Sequence, residues 1–228
     1  RLVFAAGGPD CGALQGLVNI QDHGASPSLA DNTTAIKNAI TAAIASGTGI
    51  FVPAGVFLVT LTSGSNNSFI LDGINGFVVK GAGAAASIIR STGNNQWGIP
   101  GGEGKSWNQW RLRDNVRNLW FEDLTLDCGR GSMTDITGDS PEQSHGIDFN
   151  PNAAGATVSG IHLRNMIIRD TIGDGVRMVA NVGRSVRNVT IQGVEFLGCR
   201  RSGIGFQRNI GSIIINGCTL THPGDIGN

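Results

Sequence analysis

Three observations predict an all-β chain folded as a right-handed parallel β-helix, three strands per rung, with an N-terminal capping α-helix. An eleven-residue pattern is written four times: VRNLWFEDLTL at 116–126, VSGIHLRNMII at 158–168, VRNVTIQGVEF at 186–196 and IGSIIINGCTL at 210–220. Its apolar residues alternate, which is the period of a strand. A shorter motif of x-Gly-aliphatic-x-apolar form lies between the copies, as HGIDF at 145–149, DGVRM at 174–178 and SGIGF at 202–206. One such rung cannot bury its own apolar face, whereas stacked rungs bury a continuous column. A β-sandwich would not repeat one inward pattern at one spacing.

The elements follow in chain order. Residues 1–30 form a lead-in segment. DNTTAIKNAITAAIASG at 31–47 places Ile36, Ile40 and Ile44 at i, i+4 and i+8, with Ala39 and Ala43 beside them. That is one apolar helix face, with Asp31 or Asn32 as N-cap and Gly47 as stop. Such a helix shields the exposed end of a strand stack. The β-helix then occupies 48–228, beginning with strands around the Pro-Ala-Gly turn of GIFVPAGVFLV and with INGFVVKGAG at 74–83. Within the copies, Leu119, Phe121, Leu124 and Leu126 correspond to Ile161, Leu163, Met166 and Ile168, then to Val189, Ile191, Val194 and Phe196. A phase skip falls at Asp123, Asn165, Gly193 and Gly217. These residue types tolerate left-handed backbone, so each copy is two short strands meeting at a corner.

Composition agrees and narrows the function. Glycine, at 35 of 228 residues, is about twice as frequent as usual. That suits many turns. Seventeen basic residues cancel 17 acidic ones, which provides no global field for nucleic acid or an anionic membrane, and no apolar run reaches spanning length. Arg outnumbers Lys, which occurs only at 37, 80 and 105; Arg suits bidentate contact with carboxylates, including those of acidic sugars. The cysteines at 11, 128, 199 and 218 show no zinc spacing. GIPGGEGKS fails as a phosphate loop, having five residues between Gly98 and Gly104 where four are needed.

VNIQDHGA at 18–25, the helix with its Asn-Thr-Thr-Ala-Ile start, and FVPAGVFLV at 51–59 resemble the opening region of the pectate-lyase superfamily. That group includes polysaccharide lyases, glycoside hydrolases, uronate epimerases and phage tailspikes. The resemblance implies the β-helix fold and a carbohydrate-active, polysaccharide-cleaving protein of tailspike or secreted depolymerase type, extracellular or virion-associated. Its partner would be a polysaccharide or cell-surface glycan, its assembly a homotrimer. It implies no cofactor, save calcium if the reaction is a lyase's. The alternative is a non-catalytic adhesion β-helix such as a tail fibre. The signatures of polygalacturonases are incomplete here: GDGV at 173–176 carries one Asp where they carry two.

In this fold the repeat is scaffold, so chemistry falls to outward positions. Stacking the third strands gives one column of Asp148, Arg177 and Gly205, a next column containing Gln207, and His145, Asp174 and Ser202 at the strand starts. Polysaccharide cleavage needs two nearby carboxylates, or a base beside a charge neutraliser. Asp148 with Asp174 offers the first and Arg177 with His145 the second; the plainer alternative is a surface ion pair of Asp148 with Arg177 and a turn cap at Asp174. Trp97, Trp107 and Trp110 in the insertion at 97–110 are candidates for stacking on sugar rings, or for covering apolar core. With Gln207 they form the expected substrate-binding set. The insertions at 97–110 and 129–144 should wall a groove. The only acidic cluster, Asp135, Asp139 and Glu142, reads as a solvated loop, and no metal site is expected. DIGN at 225–228 starts another third strand, so the natural chain is expected to continue past Asn228.

Overall fold

A computed structural model describes residues 16–60, 67–92, 108–130 and 144–221. Its strands stack into a three-faced parallel β-helix. Each coil contributes one strand to each of three parallel sheets, A, B and C. The coils run β2 (Ile50–Val52), β3 (Gly55–Val59), β4 (Asn67–Leu71); β5 (Asn75–Gly81), β6 (Ser87–Ser91), β7 (Asn108–Leu112); and β8 (Arg117–Glu122), β9 (Thr125–Asp127), β10 (Ile147–Phe149). They continue with β11 (Thr157–Arg164), β12 (Ile167–Arg169), β13 (Asp174–Val179); β14 (Ser185–Gln192), β15 (Glu195–Leu197), β16 (Ser202–Gln207); and β17 (Ile210–Asn216) with β18 (Thr219–Thr221). A two-residue strand, β1 (Val18–Asn19), adds to sheet A beside β2.

The repeated copies fall into register. Phe121, Leu163 and Ile191 stack in one inward column, and Leu126, Ile168 and Phe196 in another, all buried. In the last described coil Ile215 and Leu220 continue these columns but are exposed, because no further described strand covers them. The corner between sheets A and B sits at the predicted phase skips: Asp123, Asn165, Gly193 and Gly217 have φ of 59°, 49°, 60° and 60°. A second left-handed column lies within sheet A itself, at Gly76, Asn118, Gly160, Asn188 and Ser212. At Gly160, with φ of 65°, a Cβ would also lie 2.7 Å from Asn118 Oδ1. Gly160→Ala should therefore lower unfolding stability by about 1–2 kcal/mol, measured by chemical denaturation; an unchanged midpoint would refute the conformational account.

The helix, α1 (Thr33–Ser46), packs against β1, β2 and a 3-10 turn at Ile20–His23. Asp31 supplies the cap, its Oδ1 accepting from the Thr33 N–H at 2.8 Å. Asn32 is used elsewhere, accepting from Ser26 N–H at 2.7 Å and donating to the Leu58 carbonyl at 3.2 Å. Ile36, Ala39, Ile40 and Ala43 are buried, but Ile44 is 45% exposed. Eight residues at 3.6 per turn overshoot two turns by about 80°, so the i+8 position has rotated off the face that Ala43 closes.

Candidate functional site

The third strands build sheet C, and their alternation turns one row of polar residues outward. Asp148 stands between Arg111 and Arg177 in one column, and Arg177 is followed by Gly205. Arg177 grips Asp148 with a fork, Nε to Oδ1 at 2.8 Å and Nη2 to Oδ2 at 3.1 Å. Arg111 Nε lies 3.6 Å from Oδ2. Asn108 donates to the same oxygen at 3.4 Å and to Asn67 Oδ1 at 2.9 Å. With its amide oxygen turned toward the guanidinium groups, Asn150 accepts from Arg111 at 2.9 Å and Arg177 at 3.3 Å. The pair anticipated from sequence is thus present, but it is not a surface pair: the Asp148 side chain is fully buried and Arg177 and Arg111 are 11% and 19% exposed.

Asp174 sits beside this column. It does not merely cap a turn. Arg201 holds it with a second fork, Nε to Oδ1 at 3.0 Å and Nη2 to Oδ2 at 2.8 Å. Its carboxylate lies over the Gly205 backbone, where a Cβ would come within 2.6 Å of Oδ2. Burial pushes the Asp174 carboxyl above its ordinary range, and Arg201 pulls back. His145 Nδ1 accepts the Asp174 backbone N–H at 3.0 Å. Its 3.5 Å separation from Asp174 Oδ2 is therefore a contact of two acceptors and not an ion pair. Burial first, then the charges of Arg177 and Arg201, push His145 down to about 2. The ring is neutral with its proton on Nε2, and that buried N–H has no hydrogen-bond partner among the described residues; nor does Arg111 Nε.

The His145 shift makes a pH prediction. Below the ordinary value of 6.5 the unfolded chain takes up a proton that the fold refuses. Stability is intact above that pH and falls by about 1.4 kcal/mol per unit below it. Asp174 acts in the opposite sense, its contribution being complete at low pH and lost as pH rises through its raised value. Denaturation two pH units below the ordinary histidine value should show a loss of about 3 kcal/mol in the wild type. His145→Asn, which keeps an acceptor for the Asp174 N–H, should flatten that slope. An identical slope in the variant would refute the assignment.

The remaining expected residues divide. Gln207 is exposed in the next outward column, opposite Val179. Trp97 and Trp107, the acidic stretch with Asp135, Asp139 and Glu142, and most of both supposed groove walls lie outside the described residues. Trp110 is a correction: it points inward between Phe69 and Ile147 and is fully buried, because the insertion ends at Trp107 and NQWRL is already strand β7. Sequence reasoning missed Arg111 and Arg201. The first stands one residue beyond that misread tryptophan, and the second immediately precedes SGIGF. Among the described residues no group of three or more His, Cys, Asp or Glu side chains is placed to hold a metal ion. Cys128 and Cys199 are buried thiols, and burial raises both.

All three faces carry an acid flanked by cations over the same three coils. The columns are Lys80, Glu122 and Arg164 on sheet A; Arg90, Asp127 and Arg169 on sheet B; and Arg111, Asp148 and Arg177 on sheet C. On sheet B the arginines are 40% and 30% exposed. On sheet C the acid is fully buried, and Asp174 and His145, both buried, lie beside the ladder.

Residues 17–225 match the family described as rhamnogalacturonase A/epimerase, pectate lyase-like. The chain belongs to this family. Among solved structures it is similar to the A-module of Azotobacter vinelandii mannuronan C-5 epimerase AlgE6, at 18% identity and a TM-score of 0.60, covering 90% of this chain and 56% of that one. The AlgE4 A-module follows at 18% identity and 0.55, covering 88% and 58%. A putative glycosyl hydrolase from Parabacteroides merdae matches at 12% identity and 0.50, covering 89% and 96%. These likenesses establish the fold, and the chain spans a little over half the length of the epimerase modules. No curated protein matches it.

Proposed function

We propose that this family member binds and cleaves an acidic polysaccharide on the outward face of sheet C. The supporting observation is the partly open cluster of Arg111, Arg177 and Arg201, 19%, 11% and 29% exposed, around the buried carboxylates of Asp148 and Asp174. Among the described residues, three guanidinium groups (Arg111, Arg177, Arg201) against two carboxylates, with His145 neutral, leave one positive charge. A uronate carboxylate at the exposed edges of those guanidinium groups supplies the missing negative charge. Neutralising that carboxylate acidifies the neighbouring C–H. Asp174, with its raised carboxyl, is the proton acceptor in this reading; His145, at about 2, is too weak a base and, fully buried, positions Asp174 by accepting its backbone N–H. In a lyase the C5–H bond then breaks, a C4–C5 double bond forms, and the C4–O bond to the leaving sugar breaks with its oxygen taking up a proton. Hydrolysis would instead use the two aspartates as an acid and base pair. The same reading places the substrate in an extracellular or virion-associated setting and makes a homotrimer the assembly to examine.

A second reading, a glycan-binding β-helix without catalysis, draws on the fact that arginine forks already hold both aspartates. Incubation with uronate polysaccharides and with neutral glucans separates the readings. Ultraviolet absorbance of an unsaturated uronate marks a lyase, new reducing ends without it mark a hydrolase, and tight binding with neither marks the adhesin. For an enzyme, Asp174→Asn should lower turnover about a hundredfold while circular dichroism stays unchanged. Full activity in that variant would remove Asp174 from the mechanism.

A further inference from the structure

We propose that the outward face of sheet A carries a second carbohydrate site: a slot that takes one pyranose ring between His162 and Ile214, above Thr190. The inference rests on the carbohydrate reading above but uses none of the sheet C residues.

One outward column of sheet A runs Val78, Trp120, His162, Thr190 and Ile214. The Trp120 and His162 rings are stacked, with centroids 5.1 Å apart and planes inclined by 12°. Stacked rings on successive rungs must lie across the helix axis, so one face of His162 is covered by Trp120 and the other looks along the column. The next residue on that side is Thr190, too short to continue the stack. Beyond it stands Ile214, 63% exposed. His162 and Ile214 are thus two rungs apart, about 9.6 Å at the strand spacing. That is the separation a single ring needs to touch both walls, since stacked ring centres lie about 4.5–5 Å apart at their closest. A cavity of about 280 Å³ occupies this place, lined by Gly160, His162, Asn188, Thr190, Ser212 and Ile214. It falls just short of the ~300–1,000 Å³ typical of drug-sized ligands, as befits one ring.

The chemistry of the lining selects a sugar. The two walls are apolar faces, matching the C–H faces of a pyranose. The lining is mostly apolar, and its polar members are Thr190 below and Asn188 and Ser212 alongside in left-handed backbone, at φ of 55° and 57°. Gly160 lines the same edge. An aromatic side chain from another protein could fill the gap but would leave those hydroxyl and amide groups facing a ring edge with nothing to accept or donate. Burial and the neighbouring Arg164 lower His162 from its ordinary value, so the ring is neutral and offers a stacking face instead of a charge.

The test uses the full chain with histidine rings labelled for NMR, titrated with a tetrasaccharide of a uronate polymer and with a neutral gluco-tetrasaccharide. The His162 ring signals should shift saturably with at least one probe. Thr190→Phe, which fills the slot, should weaken that binding tenfold or more, while polymer turnover on sheet C stays at the wild-type rate; Thr190→Ser should behave as wild type. If Thr190→Phe fails to fold, Ile214→Ala removes one wall and should weaken binding by a similar factor. No shift with either probe, or an undiminished shift in Thr190→Phe and Ile214→Ala, overturns the slot. A change of sedimentation in those variants without loss of sugar binding would make the cleft a protein contact and also overturns it. A saturable His162 shift in a protein that cleaves nothing would sustain the slot and defeat only the catalytic reading; cleavage without the shift would do the reverse.

Discussion

Asp148→Asn is expected to destabilise the fold by about 3–5 kcal/mol. The side chain is fully buried and neutralises Arg177 through two hydrogen bonds, with Arg111 3.6 Å away. Removing the carboxylate charge leaves two largely enclosed guanidinium groups, one in each flanking coil, with only neutral amide oxygens, those of Asn150 and the new Asn, placed between them. Their mutual repulsion then adds to the desolvation that the pair had offset. Asp72→Asn is the control, because the Asp72–Arg113 pair is 40% and 37% exposed and should contribute under about 1 kcal/mol. Equilibrium denaturation of both variants decides the matter: comparable small losses would show that the sheet C ladder is as solvated as an ordinary surface pair. A loss of this size also governs how activity is read, since a dead Asp148→Asn protein could simply be unfolded. Asp174 is equally buried, but its partner Arg201 is 29% exposed and can be rehydrated, so its loss should cost less stability and its activity is the easier to read.

What could be read in advance follows from what a β-helix repeats. Inward residues recur because every coil must fill the same interior, and corner residues recur because the chain must reverse at the same place. Asp123, Asn165 and Gly193 therefore announced the fold, and the Asp148–Arg177–Gly205 column followed once the third strands were aligned. Outward residues obey no such demand, so their partners come from whichever coil lies adjacent. Arg201 binds Asp174 from the segment before the next third strand, and Arg111 was hidden because β7 has Gln109 where the later third-strand motifs have Gly146, Gly175 and Gly203. Gly146 and Gly175 have no room for a side chain, a Cβ at either falling within 3 Å of a neighbour. Gln109 instead runs its amide into the corner, donating to Ile89, Ser91 and Asp127. Trp120 and His162 were equally unmarked, since each is only an outward position in its own copy and the pair exists only across coils.

Trp110→Ala is expected to cost about 3–5 kcal/mol and to leave glycan affinity per folded molecule unchanged. The ring is fully buried, 4.6 Å from Phe69 and 5.1 Å from Phe121, tilted against the first and edge-on to the second. It therefore joins the inward column of sheet C to that of sheet A, where the coil would otherwise be hollow. Truncation opens a cavity that the strands cannot close, because their spacing is fixed by hydrogen bonds to β4 and β10. Trp110→Phe should cost less, under about 1.5 kcal/mol, because it retains an aromatic ring and removes an indole N–H that is buried without a partner. The two variants together separate volume from polarity. A tryptophan that stacked on sugar would show the opposite pattern, with unchanged denaturation midpoints and weakened binding in Trp110→Ala. That outcome would turn β7 over and place Arg111, one residue on, inside the core.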